Sequence, residues 1–219
     1  MGEDNAWQPM TAPDYAGASK PLQIAYSLIF GRMWWIGSIA HWAKVHFKWW
    51  RFKGKQQQEQ VRFSVFVVLI GAAIGFPILI ATTGIWGFVK FWLVPWMVYH
   101  FWMSTFTIVH HTAPDISFKE PEEWNEVQAQ LSGTVHCDYP RWIEFLCHDI
   151  NVHVPHHLST AIPWYNLRLA HSSLKENWQD HLYETEFSWS LMKRIADNCH
   201  LYDPAGGYQT LQEFNAQTK

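Results

Sequence analysis

Residues 63–82 read FSVFVVLIGAAIGFPILIAT, twenty positions without a formal charge. A helix rises 1.5 Å per residue, so this stretch covers about 30 Å, the thickness of a bilayer's hydrocarbon core. Pro77 interrupts the ladder locally, which membrane helices tolerate. Thr83-Gly84 then offers a short turn, and Ile85–Val109 forms a second apolar run in which Lys90 is the only formal charge. Lys90 lies near the turn, where a long cationic side chain can reach the interface. A soluble hairpin this apolar would need more surrounding protein than 219 residues supply. The spacing predicts an all-α membrane protein with two transmembrane helices, at about 63–82 and 85–109.

Outward from the hairpin, charge sets the topology. Lys44, Lys48, Arg51, Lys53, Lys55 and Arg62 precede the first run against a single acid, Glu59. Lys and Arg beside a span mark the cytoplasmic side. A hairpin returns its ends to one side, so 1–62 and 110–219 are both expected there. Lys44, Lys48, Arg51 and Lys55 are spaced 4, 3, 4 and form one basic stripe on a helix through 22–56. Trp35, Ile39, Trp42, Trp49 and Trp50 fall opposite. That pattern describes an amphipathic helix lying among lipid headgroups, with His41 and His46 as interfacial residues.

Composition agrees with a membrane setting. Aromatic residues make up 17% of the chain, with fifteen tryptophans, and charged residues only 16%. Trp and Tyr gather where an apolar layer meets water. The net charge of −3 is small, and no nucleic-acid partner is expected. Cys137, Cys147 and Cys199 show no CxxC spacing and read as reduced thiols. The opening MGEDNAWQPM has neither a basic region nor an apolar core, so it is not read as a signal peptide. Residues 1–21 read as a loop. Glu120, Glu122, Glu123 and Glu126 mark a solvated loop or helix start. Leu167–Asn177 and Trp189–Asn198 have helical character, and Asp203–Gly207 reads as a turn. One domain covers 1–219: a cytoplasmic or interfacial segment (1–60), a transmembrane hairpin (61–110) and a histidine-rich cap (111–219).

Thirteen histidines are an excess, and most lie at or after position 100. Residues 148–157, HDINVHVPHH, hold four of them, and His153, His156 and His157 are spaced H-x-x-H-H. A helix brings i, i+3 and i+4 onto one face, where imidazoles can converge on a transition metal. HxxHH also recurs on surface helices. The setting strengthens it: His110, His111, His136, His148 and His171 also follow the second span. Pro155 is comfortable at the first position of a helix, so the helix is expected to start near it, with His153 just outside. The absence of H-E-x-x-H and of a Cys pair argues against a zinc protease, a structural zinc and an iron–sulfur cluster. Histidine-dominated ligation at a membrane face fits a di-iron oxidase.

With these residues in hand, the chain resembles the membrane fatty acid desaturases, in particular the acyl-lipid omega-6 (delta-12) type of cyanobacteria. The resemblance rests on WGFVKFWLVPWMVYHFWMSTFTIVHHT, GTVHCDYPRWIEFLCHDINVHVPHHLSTAIPWYNL, SLKENW and CHLYDP, with DNAW near the start and GSIAHW in the interfacial segment. It implies a di-iron centre held through three histidine boxes, the third being His153, His156 and His157. His111 matches a further family ligand at the end of the last span. His148 matches a family histidine ahead of the box, and His110, His148, Asp149 and Asn151 are candidates to bind metal or to orient the imidazoles. The activity implied is oxygen-dependent insertion of a cis double bond into the acyl chains of membrane lipids. Electrons would come from a donor, ferredoxin by the cyanobacterial likeness. The location implied is a plasma or thylakoid membrane with the box on the cytoplasmic side.

The family's first two boxes and its first pair of spans precede the region matched here, and this chain carries neither box. By that layout the chain is expected to be the C-terminal part of a desaturase, and inactive alone. Two other readings stay open: a hydroxylase or related oxidase on the same histidine scaffold, and a catalytically inactive membrane fragment.

Overall fold

The computed structural model describes residues 9–31, 33–114, 116, 125–203 and 206–218. Two compact units emerge. One takes the residues up to Trp34 together with those from Thr105 onward; the other is Trp35–Ser104.

The first unit opens with helices where a loop is expected. Thr11 Oγ1 accepts the Asp14 N–H at 3.2 Å and caps α1, Ala12–Gly17. Helix α2 is Lys20–Phe30. The prolines that read as loop markers, Pro13 and Pro21, sit in the first turns, where no intrahelical N–H is needed. Tyr26 ties α2 down: its hydroxyl donates to the His200 carbonyl and accepts the Met10 N–H, both at 2.7 Å.

The second unit begins with α3, Gly37–His46. The basic stripe does not lie on one helix. The chain leaves α3 at Phe47, makes a 3-10 turn at Trp49–Arg51, and re-enters a helix only at Lys55. Aromatic packing explains the break. Trp42 meets Phe47 edge-on with ring centroids 4.7 Å apart, and the turn lets Trp49 lie 6.3 Å from Phe66 of the next helix. A continuous helix could not bring Trp49 there.

Helix α4, Lys55–Phe88, contains Gly84 at φ 71°, ψ 178°, a conformation essentially restricted to glycine. The chain reverses at this point. Phe76 lies 4.5 Å from Trp92 and 5.3 Å from Phe88, ring to ring, whereas sixteen residues of straight helix would separate Phe76 and Trp92 by about 24 Å. Past the turn, a π turn at Val89–Leu93 widens the ladder ahead of Pro95, whose ring would otherwise crowd the Phe91 carbonyl. Helix α5, Val94–His111, follows and contributes its last residues, from Thr105, to the first unit. Counted as one run, Lys55–His111 is long and apolar enough to cross a membrane, and only 6% of its most apolar window is buried within the protein. Phe63, Val67, Ile70, Ile74, Ile78, Trp86 and Phe91 all face outward.

After α5, the first unit continues with α6, Glu126–Ser132, capped by Asn125. The acidic residues Glu120, Glu122 and Glu123 lie outside the described residues. Next come β1 (Val135–Asp138), α7 (Arg141–Leu146), α8 (His153–Leu158), α9 (Leu167–Trp178), β2 (Tyr183–Glu186), α10 (Trp189–Asn198), β3 (Leu201–Asp203), β4 (Gly207–Gln209) and α11 (Leu211–Gln217). The chain is mostly helical, as expected, with two small two-stranded sheets added among the described residues. Strands β1 and β2 pair in parallel with His136 opposite Glu184, and β3 and β4 form an antiparallel pair with Asp203 opposite Gly207. The predicted turn at 203–207 is the link of that second pair; Pro204 and Ala205 lie outside the described residues. Helices α9 and α10 stand where the sequence places them. Ser188 Oγ caps α10 by accepting the Leu191 N–H at 3.1 Å. Leu191, Met192 and Ile195 then pack with Ile108, Val109, Cys137, Tyr139 and Cys199 into the main core.

Candidate metal centre

Helix α8 differs from its expected form in one respect. His153 is its first residue, and Pro155 its third. The first four N–H groups of a helix have no intrahelical acceptor, so Pro155 removes nothing the ladder needs. His153 and His157 therefore stand at i and i+4 on one face, one turn apart.

That face meets the end of α5. His153 Nε2 lies 2.9 Å from His111 Nε2 and 3.1 Å from His157 Nε2. One ligand nitrogen from each of the three falls within 4.8 Å of the others. The Nδ1–H of His153 donates to the Ile150 carbonyl at 3.0 Å, which leaves the lone pair of a neutral ring on Nε2. One hydrogen could fill that lone pair; a cation among the three nitrogens would satisfy all three rings. Burial, reinforced by the neighbouring imidazoles of His110, His111 and His157, holds His153 well below the ordinary histidine range, in the neutral form a metal requires. The donor set thus fits a transition metal.

His110 repeats the pattern. Its Nδ1 donates to the Val135 carbonyl at 2.6 Å, and its buried Nε2 has no hydrogen-bond partner. Its ring centroid is 4.7 Å from that of His153. A backbone carbonyl on one nitrogen is how metal-bound imidazoles are usually oriented. His156 stands apart from the converging nitrogens, with its ring 5.6 Å from His153 and 5.8 Å from His157. His148 packs against Trp164 at 5.1 Å. His136 and His171 stack on each other, with ring centroids 4.1 Å apart.

Asp149 and Asn151 do not orient imidazoles among the described residues; they belong to a polar frame behind α8. The frame centres on Glu144, which is buried. Its Oε1 accepts the Tyr139 N–H at 3.0 Å and the Asn151 Nδ2–H at 3.1 Å, and its Oε2 accepts from Arg168 Nη2 at 2.7 Å. Arg168 Nε donates to Asp149 Oδ1 at 2.8 Å. Asn151 also donates to the Cys137 carbonyl at 3.1 Å, and its own carbonyl accepts the Cys137 N–H at 3.4 Å. This network holds His148 and Asp149 at φ 53° and 51°, a left-handed turn that non-glycine residues seldom adopt. The turn aims the chain into α8. Glu144 and Arg168 carry no sequence signal for this role, because their partners are brought together only by the fold.

A family model for fatty acid desaturases matches residues 2–189. The chain belongs to the fatty acid desaturase family. Among curated members, it is 61% identical over 218 residues to the sn-1 oleoyl-lipid 12-desaturase of Anabaena variabilis, covering 99% of this chain and 62% of that protein. The desaturase of the same name from Arthrospira platensis is 59% identical over 199 residues, covering 90% of this chain and 56% of that one. The chloroplastic omega-6 fatty acid desaturase of Spinacia oleracea is 52% identical over 216 residues, covering 97% and 47%. The chain thus spans about three-fifths of the length of its cyanobacterial relatives. The desaturase family model takes in α5, the polar frame and α8 together.

Proposed function

We propose that this chain carries the third histidine box of an acyl-lipid desaturase that inserts a cis double bond at the delta-12 (omega-6) position of acyl chains in membrane lipids. The observation that carries the proposal is the convergence of His111, His153 and His157 at the end of a long apolar helix. The names of the cyanobacterial relatives favour an oleoyl chain at the sn-1 position as substrate.

In this proposal, 63–82 and 85–109 cross a plasma or thylakoid membrane as a hairpin, with 1–60 and the cap 111–219 on the cytoplasmic side. The reversal at Gly84 and the outward apolar side chains support two spans. His111 follows directly on the second span, so the site would lie at the membrane surface, within reach of an acyl chain. His111, His153, His156 and His157 would supply four imidazoles to a di-iron centre. Iron, when bound, would supply an oxidant strong enough to take hydrogen from an unactivated methylene. The chain's own part is to aim the nitrogens of His111, His153 and His157 at one point: the Ile150 carbonyl sets the tautomer of His153, and the frame around Glu144 positions the turn that leads into α8. His110 would orient or extend the set through Nε2. The balance is two methylene hydrogens, one O2, two electrons and two protons in; one double bond and two waters out. The electron donor would be ferredoxin, docking from the cytoplasm.

The test is a chimera in which these residues replace the matching region of the Anabaena variabilis enzyme. A host fed oleoyl lipids should gain the 9,12-diene at the sn-1 position, read by gas chromatography of positionally cleaved lipids. A well-expressed, iron-loaded chimera that yields a hydroxylated product or none would overturn the proposal.

A further inference from the structure

The first unit contains a second histidine cluster that shares no residue with the trio. His136 on β1 and His171 on α9 stack with centroids 4.1 Å apart and planes 15° from parallel. Glu184 on β2 is the register partner of His136 in the parallel pair. His171 Nε2 lies 2.7 Å from Glu184 Oε1, and His136 Nε2 lies 3.0 Å from Asp138 Oδ1. Lys175 Nζ occupies the other oxygen of Glu184 at 2.8 Å, which leaves Oε1 to His171.

The two rings are almost wholly buried, at 5% and 6% exposure, and the Nδ1 atom of each has no hydrogen-bond partner. The Nε2 atoms are the ones beside the carboxylates, so an ion shared with Glu184 Oε1 would bind each ring through Nε2 in place of the hydrogen there, leaving the ring proton on Nδ1. One ligand atom each from His136, His171 and Glu184 lies within 4.8 Å of the others. Ligands around a tetrahedral zinc, at about 2.1 Å from the ion, stand roughly 3.4 Å apart. The half-exposed Glu184 and a small rotation of the rings close that difference. Burial lowers the proton affinity of His136, favouring the neutral ligand form.

We propose that His136, His171 and Glu184 form a second, mononuclear site for a zinc-type divalent metal, distinct from the catalytic set and structural in role. Two imidazoles and one carboxylate are a common donor set for that ion. The ion would fasten β1, α9 and β2 to one another. Strand β1 is bonded to Asn151, just ahead of α8, so the ion would brace the platform from which His153 and His157 project. The site stands whether or not the desaturase reading holds.

The test uses the full chain in detergent, with His153→Ala and His157→Ala removing the first site, stripped with chelator and dialysed against zinc. About one zinc per chain should remain, with the X-ray absorption spectrum of two imidazoles, and cobalt in its place should give visible d–d bands. Glu184→Gln, at a half-exposed position that leaves the core intact, should weaken zinc binding at least tenfold, and His171→Asn should abolish it. No zinc in the His153→Ala, His157→Ala chain, or unchanged affinity in Glu184→Gln, would overturn the proposal.

Discussion

His153 donates its Nδ1 hydrogen to the Ile150 carbonyl at 3.0 Å, and this bond decides which nitrogen faces His111 and His157. The ring is neutral because burial opposes its charge. Its proton affinity in the folded chain lies below the unfolded value of about 6.5. The unfolded chain therefore takes up the proton first as pH falls. Stability from this group is complete above pH 6.5 and is lost progressively below it, towards the folded value. His136 acts in the same direction. Thermal unfolding of the metal-free chain should be flat from pH 8 to 7 and fall between pH 6.5 and 5. A Tm that rises on acidification would contradict it.

Substituting the proposed ligands should separate chemistry from folding. In a complete desaturase carrying these residues, His153→Ala, His156→Ala or His157→Ala should each lower diene formation by more than about 100-fold, since even residues that only support ligands are worth 10–100-fold. Protein level and Tm should change little. Normal activity in any one variant removes that residue from the ligand set.

Arg168→Ala leaves the buried Glu144 carboxylate facing Asn151 and the Tyr139 N–H without its cation. Breaking a fully buried pair costs about 3–5 kcal/mol. Arg168 is 41% exposed, so solvent reduces the loss here to about 2 kcal/mol. Metal retention should fall together with stability, because Asp149 also loses its partner. Arg168→Lys should recover part of both, measured by thermal shift and metal content.

Gly84→Val places a β-branched side chain at φ 71°, ψ 178°. The strain is about 1–3 kcal/mol. Nothing crowds the position, so the cost is conformational rather than steric. Lower thermal stability in detergent, with the arrangement of His111, His153 and His157 untouched, is the expected outcome; an unchanged Tm would show that the turn relaxes.

The thiols should differ in reactivity. Burial pushes Cys137 up to about 12, while Cys147 is part-exposed and less strongly buried. Native alkylation at pH 8, followed by mass spectrometry, should mark Cys147 first and leave Cys137 and Cys199 unmodified until the chain unfolds.

Local features were legible in the sequence, and non-local ones were not. The turn at Gly84 shows because an uncharged run ends in Thr83-Gly84. The partnership of His153 and His157 shows in their spacing, although Pro155 suggested a later helix start: proline is tolerated throughout the first turn, not only at its first position. The stripe through Lys44, Lys48, Arg51 and Lys55 fits helical spacing, but Trp42 and Phe66 draw Phe47 and Trp49 out of the helix. Strand Val135–Asp138 is too short to show alternation, and its partner lies beyond three helices. The stacking of His136 on His171 and the Glu144–Arg168 pair likewise join residues far apart in the chain, so no local pattern announces them.

Helix α8 is six residues long, too short to persist in water by itself. Its shape is borrowed from Asn151, Glu144 and Arg168, and β1 in turn depends on β2 at Tyr183–Glu186. During synthesis, His153 and His157 leave the ribosome before Arg168 and well before Glu184. The nascent box is therefore a floppy set of imidazoles until its later neighbours emerge. In the desaturase proposed here, metal loading would follow the translation of this region rather than the moment the histidines appear.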